Sequence, residues 1–133
     1  MMAEAKIVTS NDRGTLISVE TEREIPFEIK RTLFLYDMPI GAIRGNHANM
    51  NGQSAIILLG GEAKVTTFDG KKEQTDILCK AGQYLCVDKG LWHKVENMRV
   101  DTCLCVVASN RYDEADYESD YKEYLKKKVQ CNV

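Results

Sequence analysis

Apolar and β-favouring residues come in short runs along most of the chain, separated by polar turns. Leu16–Glu20 and Ile29–Tyr36 are the first two runs. Ser54–Leu59 ends at Gly60-Gly61 and Ala63–Phe68 follows at once, which predicts a hairpin; Asp69-Gly70 supplies the next tight turn. Gln74–Leu78, Gln83–Val87, Trp92–Glu96 and Thr102–Ala108 continue the pattern at intervals of about ten residues. Short strands divided by glycine-containing turns predict an all-β sandwich or barrel. The period then changes. From Asp113 to Lys128 there is no Gly or Pro, and Tyr117, Tyr121, Tyr124 and Leu125 recur at helical spacing. Asp113 and Glu114 stand at the start and Lys126–Lys128 at the end, as the helix dipole favours. The tyrosine stripe reads as a packing face toward the barrel or a partner subunit.

At 133 residues the chain fits one domain, large enough to bury a core without metal or disulfide staples. We read residues 1–133 as that domain, with the barrel over about 5–112 and the helix over about 113–128. An apolar fraction of 44% and a charged fraction of 29% are those of an ordinary globular protein. The net charge of −2 excludes a strongly basic surface, so nucleic acid is not an expected partner, while a local basic site for a phosphate stays open. Cys79, Cys86, Cys103, Cys105 and Cys131 are odd in number and form no CxxC pair, which favours reduced structural thiols over disulfides or a zinc site. Met1–Thr9 lacks the apolar stretch of a secretion signal, and no run approaches the ~18 apolar residues of a membrane span. A cytoplasmic location is expected.

Two spaced motifs carry the chemistry. In the first, Gly41 is followed by His47, Asn49, Gln53 and Gly60; in the second, Gly82 is followed by Asp88, Gly90, His93 and Asn97. The spacing resembles the paired signatures of the cupin superfamily, with Asp88 at the position of the second motif's proline. Metal-binding cupins have His, His, Glu and His where this chain has His47, Asn49, Gln53 and His93. Amide oxygens are weak ligands for first-row metals, so no metal is expected. The chain's only two histidines therefore both fall at pocket positions, and histidine is the natural base near neutral pH.

Five further segments sharpen the resemblance. They are Asp12-Arg13-Gly14-Thr15-Leu16, Ile25-Pro26-Phe27-Glu28-Ile29-Lys30-Arg31, Arg44-Gly45-Asn46-His47-Ala48, Leu91-Trp92-His93, and the run from Ala108 to Tyr117. In order and spacing they resemble the dTDP-sugar 3,4-ketoisomerase (WxcM-like) family of cupins. The resemblance implies a cupin fold, that is a double-stranded β-helix or jelly-roll barrel, with a C-terminal α-helix. It implies a homodimer and no cofactor. The implied reaction converts a dTDP-4-keto-6-deoxyhexose, with dTDP-4-keto-6-deoxyglucose as the expected substrate, to its 3-keto isomer in deoxysugar and surface polysaccharide biosynthesis. A base removes the C3 proton, an enediol forms, and C4 is reprotonated.

By the same resemblance His47 is the base. Arg31 and Arg44 are the expected diphosphate ligands, since a guanidinium grips phosphate oxygens bidentately. Arg13, Asn49 and His93 are expected at the sugar end. Trp92 is open to two readings, stacking on a ring or barrel core. Two positions depart from the family pattern. Asn49 stands where a second histidine is usual, and Leu33 where a tyrosine is common; Tyr36, three residues on, points to the opposite face of a strand. A phenol at Leu33 would relay a proton between the sugar oxygens. These departures keep two alternatives in play, a non-catalytic nucleotide-sugar-binding cupin and a related sugar epimerase.

Overall fold

The computed structural model describes residues 2–131. The Gln130 and Cys131 side chains lie outside the described part, as do Met1, Asn132 and Val133. The strands are β1 Met2–Glu4, β2 Lys6–Ser10, β3 Gly14–Ser18, β4 Arg31–Leu35, β5 Ile43–Asn49, β6 Ser54–Gly60, β7 Ala63–Phe68, β8 Glu73–Leu78, β9 Gln83–Val87, β10 Trp92–Asn97, β11 Cys103–Ala108 and β12 Tyr117–Glu118. Among the described residues one α-helix, α1 Tyr121–Cys131, follows β12.

Two antiparallel five-stranded sheets face each other. One runs β1-β9-β6-β11-β4 and the other β12-β5-β10-β7-β8, with β2-β3 a separate hairpin. This is the jelly-roll barrel of the cupins. Ile56 and Leu58 of β6 point inward to meet Val65, Leu78, Leu85, Val87, Val95 and Leu104, each at most 4% exposed. Alternation sends Ala55 and Ile57 outward, where Ala5, Ile25 and Phe27 of the N-terminal segment cover them. Burial pushes the thiols of Cys86 and Cys105 up, which keeps them protonated.

Two sequence expectations need correction. The run either side of Gly60-Gly61 is no hairpin: β6 pairs with β9 and β11 while β7 pairs with β8 and β10, so the chain crosses between sheets there. Gly61 makes the crossing possible. Its φ is +83°, and a Cβ on it would lie 2.3 Å from Thr102 Cα. The Asp69-Gly70 turn does join a true hairpin, β7 to β8, with Asp69 Oδ1 accepting from the Lys71 and Lys72 amides at 2.8 Å.

The second correction concerns the helix, which begins at Tyr121 and not at Asp113. Asp113 caps only a short 3-10 turn, Glu114–Asp116, and the chain then runs extended as β12 against β5. Asp120 is the helix cap, its Oδ1 accepting from the Lys122 amide at 3.0 Å and the Glu123 amide at 3.2 Å. Pairing with β5 has overridden local helix preference. Tyr117 consequently leaves the helical stripe and belongs to a strand. Tyr124 stays in it, fully buried against Trp92 and Ala48 on the outer face of the second sheet.

Candidate active site

The barrel mouth holds a cavity of about 220 Å³ lined from both sheets. The edge strand β4 contributes Arg31, Leu33 and Leu35 by simple alternation, and Tyr36 is 65% exposed and lies outside the lining. The strand β5 contributes Arg44, His47 and Asn49. A regular strand cannot put residues 44 and 47 on one face, because alternation has period two. A bulge resolves this. His93 pairs with His47 but Lys94 pairs with Gly45, which leaves Asn46 extra. Gly45 and Asn46 both adopt positive φ, +80° and +61°. Asn46 turns out of the barrel and accepts from Trp92 Nε1 at 3.2 Å.

The two histidines face each other across the β5–β10 ladder, their ring centroids 4.8 Å apart and edge to face. His93 is 7% exposed. Burial first, and then the neighbouring His47, push its pKa down to about 4, against a raising contact with the Leu91 carbonyl. That carbonyl lies 3.4 Å from Nδ1 and can only accept, so Nδ1 carries the hydrogen and Nε2 keeps its lone pair. His93 is therefore neutral at pH 7. Gly45 lets the ring sit close: a Cβ there would approach His93 Cδ2 to 3.3 Å.

On its other side His47 meets Tyr117. The two rings stack 4.5 Å apart with 9° between their planes. The Tyr117 hydroxyl accepts from Arg31 Nη2 at 3.2 Å, and Arg31 also lies over the Tyr112 ring, 5.6 Å from its centroid. Arg31 Nε is buried and has no hydrogen-bond partner. Arg31 and Arg44 both line the cavity, no Asp or Glu does so among the described residues, and neither arginine is in an ion pair there. The cavity's fixed charge is thus positive and suits an anion.

Asn49 lines the cavity but its Nδ2 donates to Asp116 Oδ2 at 3.2 Å. Asp116 is 2% exposed. Burial pushes its carboxyl up, and donation from the Asn51 amide, the Asn49 and Asn110 side chains and the Gly52 amide outweighs that, holding it below the usual range. Gln53 donates from Nε2 to Asp88 Oδ1 at 3.0 Å, so the residue at the cupin glutamate position is tied to the one at the proline position. Among the described residues no three His, Cys, Asp or Glu side chains cluster as a metal site.

Five sequence-derived candidates, Arg31, Arg44, His47, Asn49 and His93, line this one cavity. Arg13 does not. It lies in the turn joining β2 to β3, outside the lining. Trp92 packs under α1 and lines no part of this cavity. Tyr117 and Asn110 are lining residues that the sequence reading left out. The Asp-Tyr pair at 116–117 lay inside the segment assigned to a helix, and only strand pairing turns it inward.

A cupin barrel with two histidines, two guanidinium groups outside any ion pair and, among the described residues, no acidic lining defines the class of protein. The family model described as FdtA, WxcM-like, C-terminal matches residues 2–129. The TDP-4-oxo-6-deoxy-alpha-D-glucose-3,4-oxoisomerase of Aneurinibacillus thermoaerophilus is 32% identical over 128 residues, 96% of this chain and 91% of the relative. The structure of WlaRA, a TDP-fucose-3,4-ketoisomerase from Campylobacter jejuni, matches at a TM-score of 0.89 and 32% identity over 100% of this chain and 98% of that one. A double mutant of the QdtA 3,4-ketoisomerase from Thermoanaerobacterium thermosaccharolyticum, in complex with TDP, matches at a TM-score of 0.90 and 26% identity over 100% and 96%. The chain belongs to the WxcM-like family of cupins.

Proposed function

We propose that this protein is a sugar-nucleotide 3,4-ketoisomerase that moves the ketone of a dTDP-4-keto-6-deoxyhexose from C4 to C3. The carrying observation is the His47 imidazole set between Tyr117 and His93 in a positively charged cavity. Family membership and the activities of the matched relatives point the same way.

The C4 carbonyl acidifies the C3 proton. His47 takes that proton, the electrons flow toward O4, and an enediol forms; the imidazolium then returns a proton to C4 as the carbonyl forms at C3. Arg31 and Arg44 hold the diphosphate, their charge uncompensated by any lining carboxylate. His93, neutral and with Nε2 as acceptor, takes a hydrogen bond from a sugar hydroxyl. The electrons stay within one molecule, so no redox partner enters the balance. Arg13 lies in the β2–β3 turn, outside this cavity's lining. As support for a homodimer, the edge strand β4 exposes Phe34 at 61%, and the β2–β3 hairpin exposes Val8 at 49% and Leu16 at 58%. Free thiols at Cys79, Cys86, Cys103 and Cys105 are in keeping with a cytoplasmic site of action, and among the described residues no helix is long and apolar enough to cross a membrane.

The test is proton NMR of the protein with dTDP-4-keto-6-deoxyglucose in heavy water. The expected result is migration of the ketone to C3 with deuterium at C4, abolished in His47→Ala. Inversion of configuration at C3 with the ketone still at C4 would instead identify an epimerase. Binding without exchange would identify a nucleotide-sugar-binding cupin.

A further inference from the structure

We propose that the Tyr117 hydroxyl carries the proton between the two sugar oxygens, the task that neither Leu33 nor Asn49 can perform. The inference rests on the ketoisomerase reading above. That reaction moves more than the carbon-bound proton: O4 must gain a hydrogen and O3 must lose one. A single base at C3 and C4 leaves this oxygen exchange unassigned.

The neighbouring side chains narrow the choice. Leu33 has no proton to give. A carboxamide is too weak an acid and base to pass a proton in turnover at neutral pH, and one Asn49 N–H already donates to Asp116. His93 holds its one hydrogen on the Leu91 carbonyl. Arginine stays protonated throughout. Of the two hydroxyls that line the cavity among the described residues, on Ser54 and Tyr117, only the phenol is acidic enough to become an anion in turnover, and its ring lies flat against His47. The hydroxyl accepts from Arg31, so its own hydrogen is free to point at a ligand. Vicinal oxygens are one carbon–carbon bond apart, and one phenol can serve both in turn.

The position is built rather than incidental. Asp116, the residue before Tyr117, is clamped by the Asn51 amide at 2.6 Å, the Gly52 amide at 3.3 Å, and the Asn49 and Asn110 side chains at 3.2 and 3.4 Å. Tyr117 pairs with Asn49 in the β5–β12 ladder. Asn49 thus acts as a positioning residue: its amide fixes the carboxylate that holds Tyr117 beside the base. Gly52 leaves room for the clamp, since a Cβ there would lie 2.5 Å from Asn110 Oδ1.

The protons balance over one turnover. As His47 takes hydrogen from C3, the phenol gives its proton to O4. As the imidazolium returns a proton to C4, the O3 hydroxyl gives its proton to the phenolate and the C3 carbonyl forms. Both side chains end as they began.

Tyr117→Phe keeps the ring on His47 and removes only the hydroxyl. With dTDP-4-keto-6-deoxyglucose in heavy water, ketone migration in this variant is expected to slow by about 100-fold or more. KM should change less than about threefold, and C3 hydrogen exchange should fall at least about tenfold less than migration. A parallel fall in both rates would make Tyr117 only a platform for His47 and would overturn the proposal, as would unchanged migration. Fluorotyrosine at 117 keeps shape and stacking while making the phenol more acidic. The alkaline limb of the kcat profile should then move to lower pH, and an unmoved limb would also overturn the proposal. This second variant decides the matter should the phenylalanine form not fold. Absence of migration in the unaltered protein would overturn the ketoisomerase reading itself.

Discussion

Arg31 shows how much one side chain can be asked to do. Its Nη2 holds Tyr117, its plane lies over Tyr112, and its Nε is buried with no partner. A buried donor left unpaired costs about 1–3 kcal/mol, while Arg31 lines the cavity and can offer its other N–H groups to a ligand oxygen. Lysine has one compact ammonium and no fork of donors. Arg31→Lys should weaken TDP binding about tenfold, or about 1.4 kcal/mol, measured by isothermal titration calorimetry. Equal affinities would remove Arg31 from the nucleotide site. The sequence named Arg31 from its Lys-Arg motif, whereas the free Nε is a consequence of packing that no motif contains.

Helix α1 is held less by its own short length than by what it buries. Tyr124 is fully buried, and its hydroxyl lies 2.9 Å from the Phe68 carbonyl and 2.7 Å from the Gly90 carbonyl, sharing one hydrogen between them. Those carbonyls end β7 and precede β10, so the phenol ties the helix to two strands of one sheet. Tyr124→Phe should cost about 1–2 kcal/mol, read as a lower midpoint in urea unfolding with an unchanged slope. No shift in midpoint would mean that water replaces the hydroxyl without penalty. The helical spacing of Tyr121, Tyr124 and Leu125 was legible in the sequence. The helix start was not, because Asp113 and Asp120 are both good caps and only the β12–β5 pairing decides between them.

For the molecule as a whole, the buried His93 makes stability depend on pH. Its pKa is about 4 in the fold against 6.5 in the unfolded chain. Between those values the unfolded state binds a proton that the folded state refuses, so stability is lost as pH falls from 6.5 to 4 and this contribution levels off below that. At full extent the loss from this one buried imidazole is about 3 kcal/mol. His93→Gln should flatten the slope of unfolding free energy between pH 6.5 and 4, followed by urea titration at each pH. An unaltered slope would mean that the proton is taken up elsewhere. The dependence arises because His93 is buried in the fold and hydrated in the unfolded chain.

Local sequence determined the strand-forming runs, the Asp69-Gly70 hairpin and the two motifs whose histidines meet at the cavity. These depend on alternation, turn chemistry and spacing, all of which are properties of neighbours in the chain. Long-range pairing decided the rest. It made Gly60-Gly61 a crossing between sheets, because β6 finds its partners in β9 and β11. It placed Arg44 beside His47 through an extra residue in β5 that only the ladder with β10 reveals. It also took Tyr117 out of a helical stripe and laid it on His47, since a two-residue strand against β5 and a clamped Asp116 outweigh local helix preference. Such choices are settled by groups far apart in sequence that must bury surface and satisfy hydrogen bonds together.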